Sequence, residues 1–121
     1  MAALFDIMKF RQLFRSKKTA SGLTGETVNI VLPRVKPGHM RILTHVTVED
    51  KTSAYTKCRL AIDNGGNVFY LDELESPAAN ELGVARSDVV LGEADVFFAE
   101  LTGTTTADQL VMTCCGWEQT L

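Results

Sequence analysis

The chain reads as all-β: an antiparallel β-sandwich or jelly roll of about seven to eight strands, with a short N-terminal helix or arm. Three observations predict this. The stretch Met40 to Glu49 (M-R-I-L-T-H-V-T-V-E) alternates two residue sets with period two and is rich in β-branched side chains, which suits a half-buried strand. Shorter stretches repeat the formula, with turn-forming residues between them. No long helical pattern follows residue 20.

Taken in order, residues 2–18 (A-A-L-F-D-I-M-K-F-R-Q-L-F-R-S-K-K) hold good helix formers and neither Gly nor Pro. Leu4, Ile7, Phe10 and Phe14 fall on one helical side, although Arg11 and Arg15 intrude. Three placements compete: a helix packed on its own domain, an arm reaching a neighbouring subunit, or a basic amphipathic segment on an anionic membrane. Thr19 to Gly25 reads as a flexible hinge. The domain division is therefore 1–25 for a basic helix or arm with its hinge, and 26–121 for the sandwich.

Glu26 to Leu32 is the first expected strand, ended by Pro33, and Pro37-Gly38 turns the chain into the Met40–Glu49 strand. Thr56 to Asp63 alternates again, with Cys58, Leu60 and Ile62 inward. Asn64-Gly65-Gly66-Asn67 is the strongest hairpin signal, because these residues supply the positive φ that a tight turn needs. Val68 to Leu71 is its partner strand. Asp72 to Asp88 reads as a long loop, with one helical turn at Ser76–Asn80 capped by Ser76. Val89 to Leu91, Asp95 to Leu101 and Gln109 to Glu118 complete the set. The last has two apolar faces: Leu110, Met112 and Cys114 on one, Val111, Cys115 and Trp117 on the other. That suits a strand covered on both sides, and marks Val111, Cys115 and Trp117 as subunit-interface candidates.

At 121 residues the chain is long enough to bury one core. Its net charge of -3 is uneven. Residues 1–18 hold five basic residues against Asp6, a net +4, whereas residues 19–121 hold seven basic and fourteen acidic residues, a net −7. This is a basic arm on an acidic body. Three cysteines without metal-ligand spacing or a secretory signal point to free thiols and a reducing cytoplasm. No run approaches a membrane span.

The inventory for chemistry is thin. His39 and His45 stand six apart, which puts both on one face if the strand begins at His39, but a third metal ligand has to come from elsewhere. Asp72, Glu73, Glu75 and Glu81 lack the ligand spacing of a calcium loop. Nucleophile, zinc and phosphate-loop motifs are absent, and no basic stripe interleaves with exposed aromatics as nucleic-acid binding requires. No enzyme, cofactor, metal or specific nucleic-acid partner is expected.

Several stretches resemble small β-sandwich or jelly-roll structural proteins of tailed bacteriophages. They are P-R-V-K-P-G-H-M-R-I at 33–42, R-L-A-I-D-N-G-G-N at 59–67, S-P-A-A at 76–79, V-V-L-G-E-A-D-V at 89–96, L-T-G-T-T-T-A-D at 101–108 and G-W-E at 116–118. The resemblance covers roughly residues 26–118 and is one of style. It implies a non-enzymatic virion protein, made in the host cytoplasm, that decorates or cements a capsid or sits at the head–tail junction or a tail appendage. Such proteins form homo-oligomers, often trimers, and bind the major capsid protein or another virion protein. Phe5, Lys9, Phe10, Arg11, Phe14 and Arg15 would then be the arm's contacts with that partner. The competing function is a glycan-binding sandwich using the 72–88 loop and Trp117.

Overall fold

The structure, a computed structural model, describes residues 11–121. These form nine strands: β1 (Arg11–Ser21), β2 (Val28–Val31), β3 (His39–Asp50), β4 (Lys57–Asn64), β5 (Asn67–Glu75), β6 (Gly83–Val84), β7 (Val89–Leu91), β8 (Val96–Thr102) and β9 (Gln109–Thr120). The first sheet runs β1-β9-β3, with β6 and β7 both pairing the far side of β3; the second runs β2-β8-β4-β5. Every pairing is antiparallel. Successive strands cross between the sheets except at the β4–β5 hairpin and the β6–β7 step, which is the double-sheet jelly roll. No described helix is long and apolar enough to cross a membrane.

The core lies between the sheets. Leu43, Val46 and Val48 of β3 and Leu110, Met112 and Cys114 of β9 face Leu60 of β4 and Phe97, Ala99 and Leu101 of β8. The inward sets expected on β8 and β9 are buried, whereas the unbroken alternation expected across Met40 to Glu49 is interrupted, so that Leu43 is buried with Val46 and Val48 while Ile42 is not. The β4–β5 hairpin turns at Gly65 (φ 59) and Gly66 (φ 96), with Asn64 opposite Asn67.

Four expectations need correction. Residues 11–18 are not helical. They belong to β1, which pairs β9 residue by residue from Arg11↔Gln119 to Ser21↔Gln109. Thr19 to Ser21 extend the same strand instead of forming a hinge. The open edge of β9 decides this against local helix propensity. The 72–88 segment is also less loop-like than its composition suggests: β5 runs to Glu75, and β6 returns to pair β3. Ser76–Asn80 is a turn instead of a helical turn, with Ser76 at φ 49, a left-handed value that a helix N-cap does not take.

Two bulges set which side chains face where. Between Leu43↔Gly116 and His45↔Cys115 the register shifts, leaving Thr44 as the extra residue. Ile42 and Val46 therefore point to opposite faces although they are four residues apart. The same shift parts the histidines: His45 shares the outer face with Cys115, while His39 has the parity of inward Arg41. A two-histidine metal site is ruled out by this geometry. The second bulge, at Leu71, lies between Leu60↔Asp72 and Ala61↔Tyr70.

At one end of the sandwich two carboxyls are buried together. Asp50 Oδ1 accepts from the backbone N–H of Thr52 (2.9 Å) and Ser53 (3.1 Å), and Asp108 Oδ2 accepts from Ser53 Oγ (2.6 Å) and Thr105 N (3.0 Å). Asp50 Oδ2 has no hydrogen-bond partner in the structure, and a proton shared with the neighbouring Asp108 carboxyl would supply one. Burial, and then Asp108, push the Asp50 carboxyl above its ordinary 3.8. Asp108 is also penalised by burial, but hydrogen bonds from Ser53, Asp50 and Thr105 outweigh that and hold it below the ordinary value. Raised Asp50 binds its proton more tightly when folded, so its contribution is full below 3.8 and is lost as pH rises through the folded value. Lowered Asp108 contributes above 3.8 and loses that as pH falls. Asp50→Asn keeps the acceptor for Thr52 and Ser53 and adds a permanent donor for Asp108. In urea titrations at pH 8 it should exceed the wild type by about 1 kcal/mol, with the advantage vanishing towards pH 4. A deficit at pH 8 would refute the shared proton.

Candidate functional site

The outer face of the first sheet is the place where the chain breaks the rule of polar residues towards water. Cross-strand register lines up Leu13 on β1, Trp117 on β9, Ile42 on β3 and Val90 on β7 as one row across four strands. Leu13 is 55% exposed, Trp117 40% and Val90 59%, with Ile42 half-buried between them. Directly opposed residues are the contact unit of a sheet, so this row is a continuous apolar strip. The adjoining row towards the chain ends is Arg11, Gln119 and Met40, and the Arg11 guanidinium lies 5.8 Å from the Trp117 ring centroid. On the other side come Arg15, Cys115 and His45, then the more polar Lys17, Thr113, Thr47 and Val84. The Thr44 bulge is what brings Ile42 outward to join the row.

Each expected site residue within 11–121 has a definite place. Cys115 and Trp117 share this face as their alternation implies, with Cys114 buried on the opposite side. Val111 has the same parity but is only 4% exposed and offers no surface. Arg11 and Arg15 stand on the face as exposed members of β1. Phe14 does not: it turns inward, its ring 4.3 Å from the guanidinium of buried Arg41, so it anchors β1 to its own domain. Phe5, Lys9 and Phe10 lie outside the described residues. Leu13, Ile42 and Val90 were not legible as site residues, because only pairing register places them beside Trp117.

A second feature occupies the flank formed by β5 and the 76–88 segment. Val68, Phe69, Tyr70 and Leu71 are four consecutive apolar or aromatic residues, all 43–55% exposed. Beside them a concavity of about 440 Å³ is lined by Arg59, Tyr70, Leu71, Asp72, Glu73 and Arg86. Its charges are already matched: Arg59 binds Glu73 at 2.7 Å and stacks 4.8 Å from the Tyr70 ring centroid, Arg86 binds Asp72 at 3.0 Å, and Tyr70 donates to Glu100 at 3.2 Å. The neighbouring Glu73 pushes the Glu75 carboxyl above its ordinary value, while Glu75 and Arg59 hold Glu73 below its own. Trp117 does not line this hollow, so it and the 72–88 segment are separate features.

The remaining reactive groups are shielded. Burial pushes the Cys58 and Cys114 thiols up to about 12, far from a reactive thiolate. Among the described residues no three His, Cys, Asp or Glu side chains converge to hold a metal.

No protein-family model and no curated protein matches the chain. Solved structures of similar shape do exist. A protein described as an α-L-fucosidase from Bacteroides thetaiotaomicron is similar at a TM-score of 0.51 and 10% identity, over 82% of this chain and 21% of that one. The chain thus spans about a fifth of that protein's length. A family 29 carbohydrate-binding module is similar at a TM-score of 0.46 and 8% identity, covering 93% of this chain and 82% of the module. The infectious bursal disease virus Gt strain structure is similar at 0.44 and 6% identity, over 89% of this chain and 32% of that one. At such identities the fucosidase similarity is one of fold, and the chain is a β-sandwich.

Proposed function

We propose that this protein is a non-enzymatic structural protein of a virion, of the capsid decoration or cement kind, which assembles with copies of itself. The observation that carries the proposal is the exposed Leu13–Trp117–Ile42–Val90 row. A sandwich working alone gains nothing from a half-exposed tryptophan and three aliphatic neighbours in one strip, whereas contiguous apolar patches mark association surfaces, and tryptophan flanked by arginine is the composition of interface centres. The jelly roll itself occurs in viral capsid and lectin domains alike, so the fold narrows the field without choosing. The resemblance of residues 26–118 to phage structural proteins supports the virion assignment, with assembly in the host cytoplasm. Head–tail junction and tail-appendage positions use the same kind of surface.

The row is read as the contact between two copies packed back to back. Trp117→Lys keeps the fold, because the ring is on the outer face, and should abolish this contact. Light scattering on a sizing column in about 1 M salt, where charge contacts are screened, should show a smaller particle for the variant than for the wild type. Equal masses would sink the assignment. A second reading, saccharide binding, is favoured by half-exposed Tyr70 in its hollow. A saturable, Tyr70-dependent response to neutral oligosaccharides would transfer the assignment to it.

A further inference from the structure

We infer that copies of this chain also join head to tail, the basic edge strand β1 of one copy docking along the acidic β5 flank of the next. The inference rests on the reading of the protein as one that assembles with itself, and it names a second contact that the apolar row does not provide.

β1 ends the first sheet and β5 ends the second. They lie on opposite flanks: β1 beside β2, and β5 beside β6, whose Gly83 and Val84 line a small pocket with Leu74. At 11 and 9 residues both are long for edge strands, which natural proteins usually keep short because their unpaired backbone groups template further pairing. In the structure β1 pairs only β9 and β5 pairs only β4, so each presents a free edge among the described residues.

The two flanks are opposite in charge. β1 carries Arg11, Arg15, Lys17 and Lys18 with no acid, a net +4, and all four are exposed. Among the described residues none of the four enters an ion pair. Residues 67–88 carry five acids against Arg86, a net −4; Glu73 and Asp72 are held by Arg59 and Arg86, while Glu75, Glu81 and Asp88 enter no ion pair among the described residues. Glu73 and Glu75 share the outer face of β5, and the neighbouring Glu73 pushes the Glu75 carboxyl above its ordinary value.

The apolar content matches as well. In a parallel alignment of the two edges, the four-position step from Leu13 to Lys17 on β1 equals that from Tyr70 to Glu75 on β5, which oppose Ala61 and Lys57 of β4 on either side of the Leu71 bulge. Leu13 then meets the exposed Val68–Leu71 run while the lysines meet the carboxylates. One molecule supplies both halves, so the contact is heterologous and propagates into a ring or a chain. A polyanion such as nucleic acid would use β1 alone and leave the acidic flank without effect.

The test uses the full chain carrying Trp117→Lys, so that the back-to-back contact is absent. One variant adds Lys17→Glu and Lys18→Glu; the other adds Glu75→Lys and Glu81→Lys. Each spoils one flank and leaves the other as it was. Exposed ion pairs are individually weak and strongly screened, so light scattering is read at about 0.05 M and about 1 M salt. The parent should associate at low salt and fall to the 13.3 kDa chain mass at high salt. Each charge variant alone should be monomeric at both. Their equimolar mixture should form a particle of two chains, because only the unaltered β1 of one and the unaltered β5 flank of the other can meet. Recovery in the mixture also shows that both variants are folded. A parent monomeric at low salt, or a mixture that stays monomeric, overturns the inference while leaving the apolar-row assignment standing. If the acidic-flank variant associates as the parent does, β1 binds something other than that flank and the inference fails.

Discussion

Gly116→Ala should be the most damaging single-methyl change in the chain, costing about 3 kcal/mol or more. A Cβ at Gly116 would collide with the carbonyl oxygen of Ile42 and sit 2.9 Å from Leu43 Cα. Both are backbone atoms, so no flexible side chain can swing aside. They belong to the partner strand β3 at the Thr44 bulge, where the chain makes room for its extra residue. The close approach of β9 to β3 at that point requires glycine for its missing side chain. Relief comes only by separating the strands or sliding the register, and a slip by one residue would exchange the core and outer faces. The expected result is a large fall in the urea midpoint, or loss of the cooperative transition. The apolar row would be lost with it, because the bulge turns Ile42 outward. A variant within 1 kcal/mol of the wild type would show that the bulge is not as tightly specified as the geometry says.

Arg41→Ala should cost about 3 kcal/mol. Arg41 is an unusual residue for a sandwich interior, with its side chain 4% exposed. Its Nε donates to Glu118 Oε2 at 3.2 Å, Nη1 donates to the Pro33 carbonyl at 2.7 Å, and its plane lies 4.3 Å from the Phe14 ring centroid. One guanidinium thus ties β1, β9 and the segment after β2 to β3. Removing it strands a half-buried carboxylate, leaves a carbonyl without its donor and opens space beneath Phe14. Arg41→Lys should recover less than half of the loss, because an ammonium cannot serve two acceptors in the fork geometry and stacks poorly on a ring. Since Phe14 is next to Leu13, the same change should loosen β1 and raise hydrogen exchange along it before the rest of the sheet opens. Full stability in Arg41→Ala would mean that Phe14 and the β1–β9 ladder hold the edge unaided.

These two residues show where sequence reading succeeds and where it stops. Strands β2, β3, β4, β7, β8 and β9 are legible because each alternates between well-marked turns, and the β4–β5 hairpin because Asn64 to Asn67 permits little else. β1 was hidden. Its composition favours a helix, and it becomes a strand because β9 would otherwise expose a free edge. Bulges are hidden too, for they belong to the pairing of two strands rather than to either one. Thr44 and Leu71 look like ordinary strand residues, and the glycine at 116 is the one local sign of the first. The same limit governs the candidate surface. Cys115 and Trp117 are legible in β9's second apolar face, but that face also points to Val111, which its own neighbours cover. Leu13, Ile42 and Val90 become members of the strip only once register sets them in line.

The measurement that bears most directly on this account is the mass of the wild type and of Trp117→Lys in about 1 M salt, followed over a dilution series. Back-to-back association predicts twice the 13.3 kDa chain mass for the wild type, falling to a single chain on dilution, and a single chain throughout for the variant. A wild type that stays a single chain at every concentration, or a variant that dimerises equally well, would contradict the claim that this face joins copies of the protein.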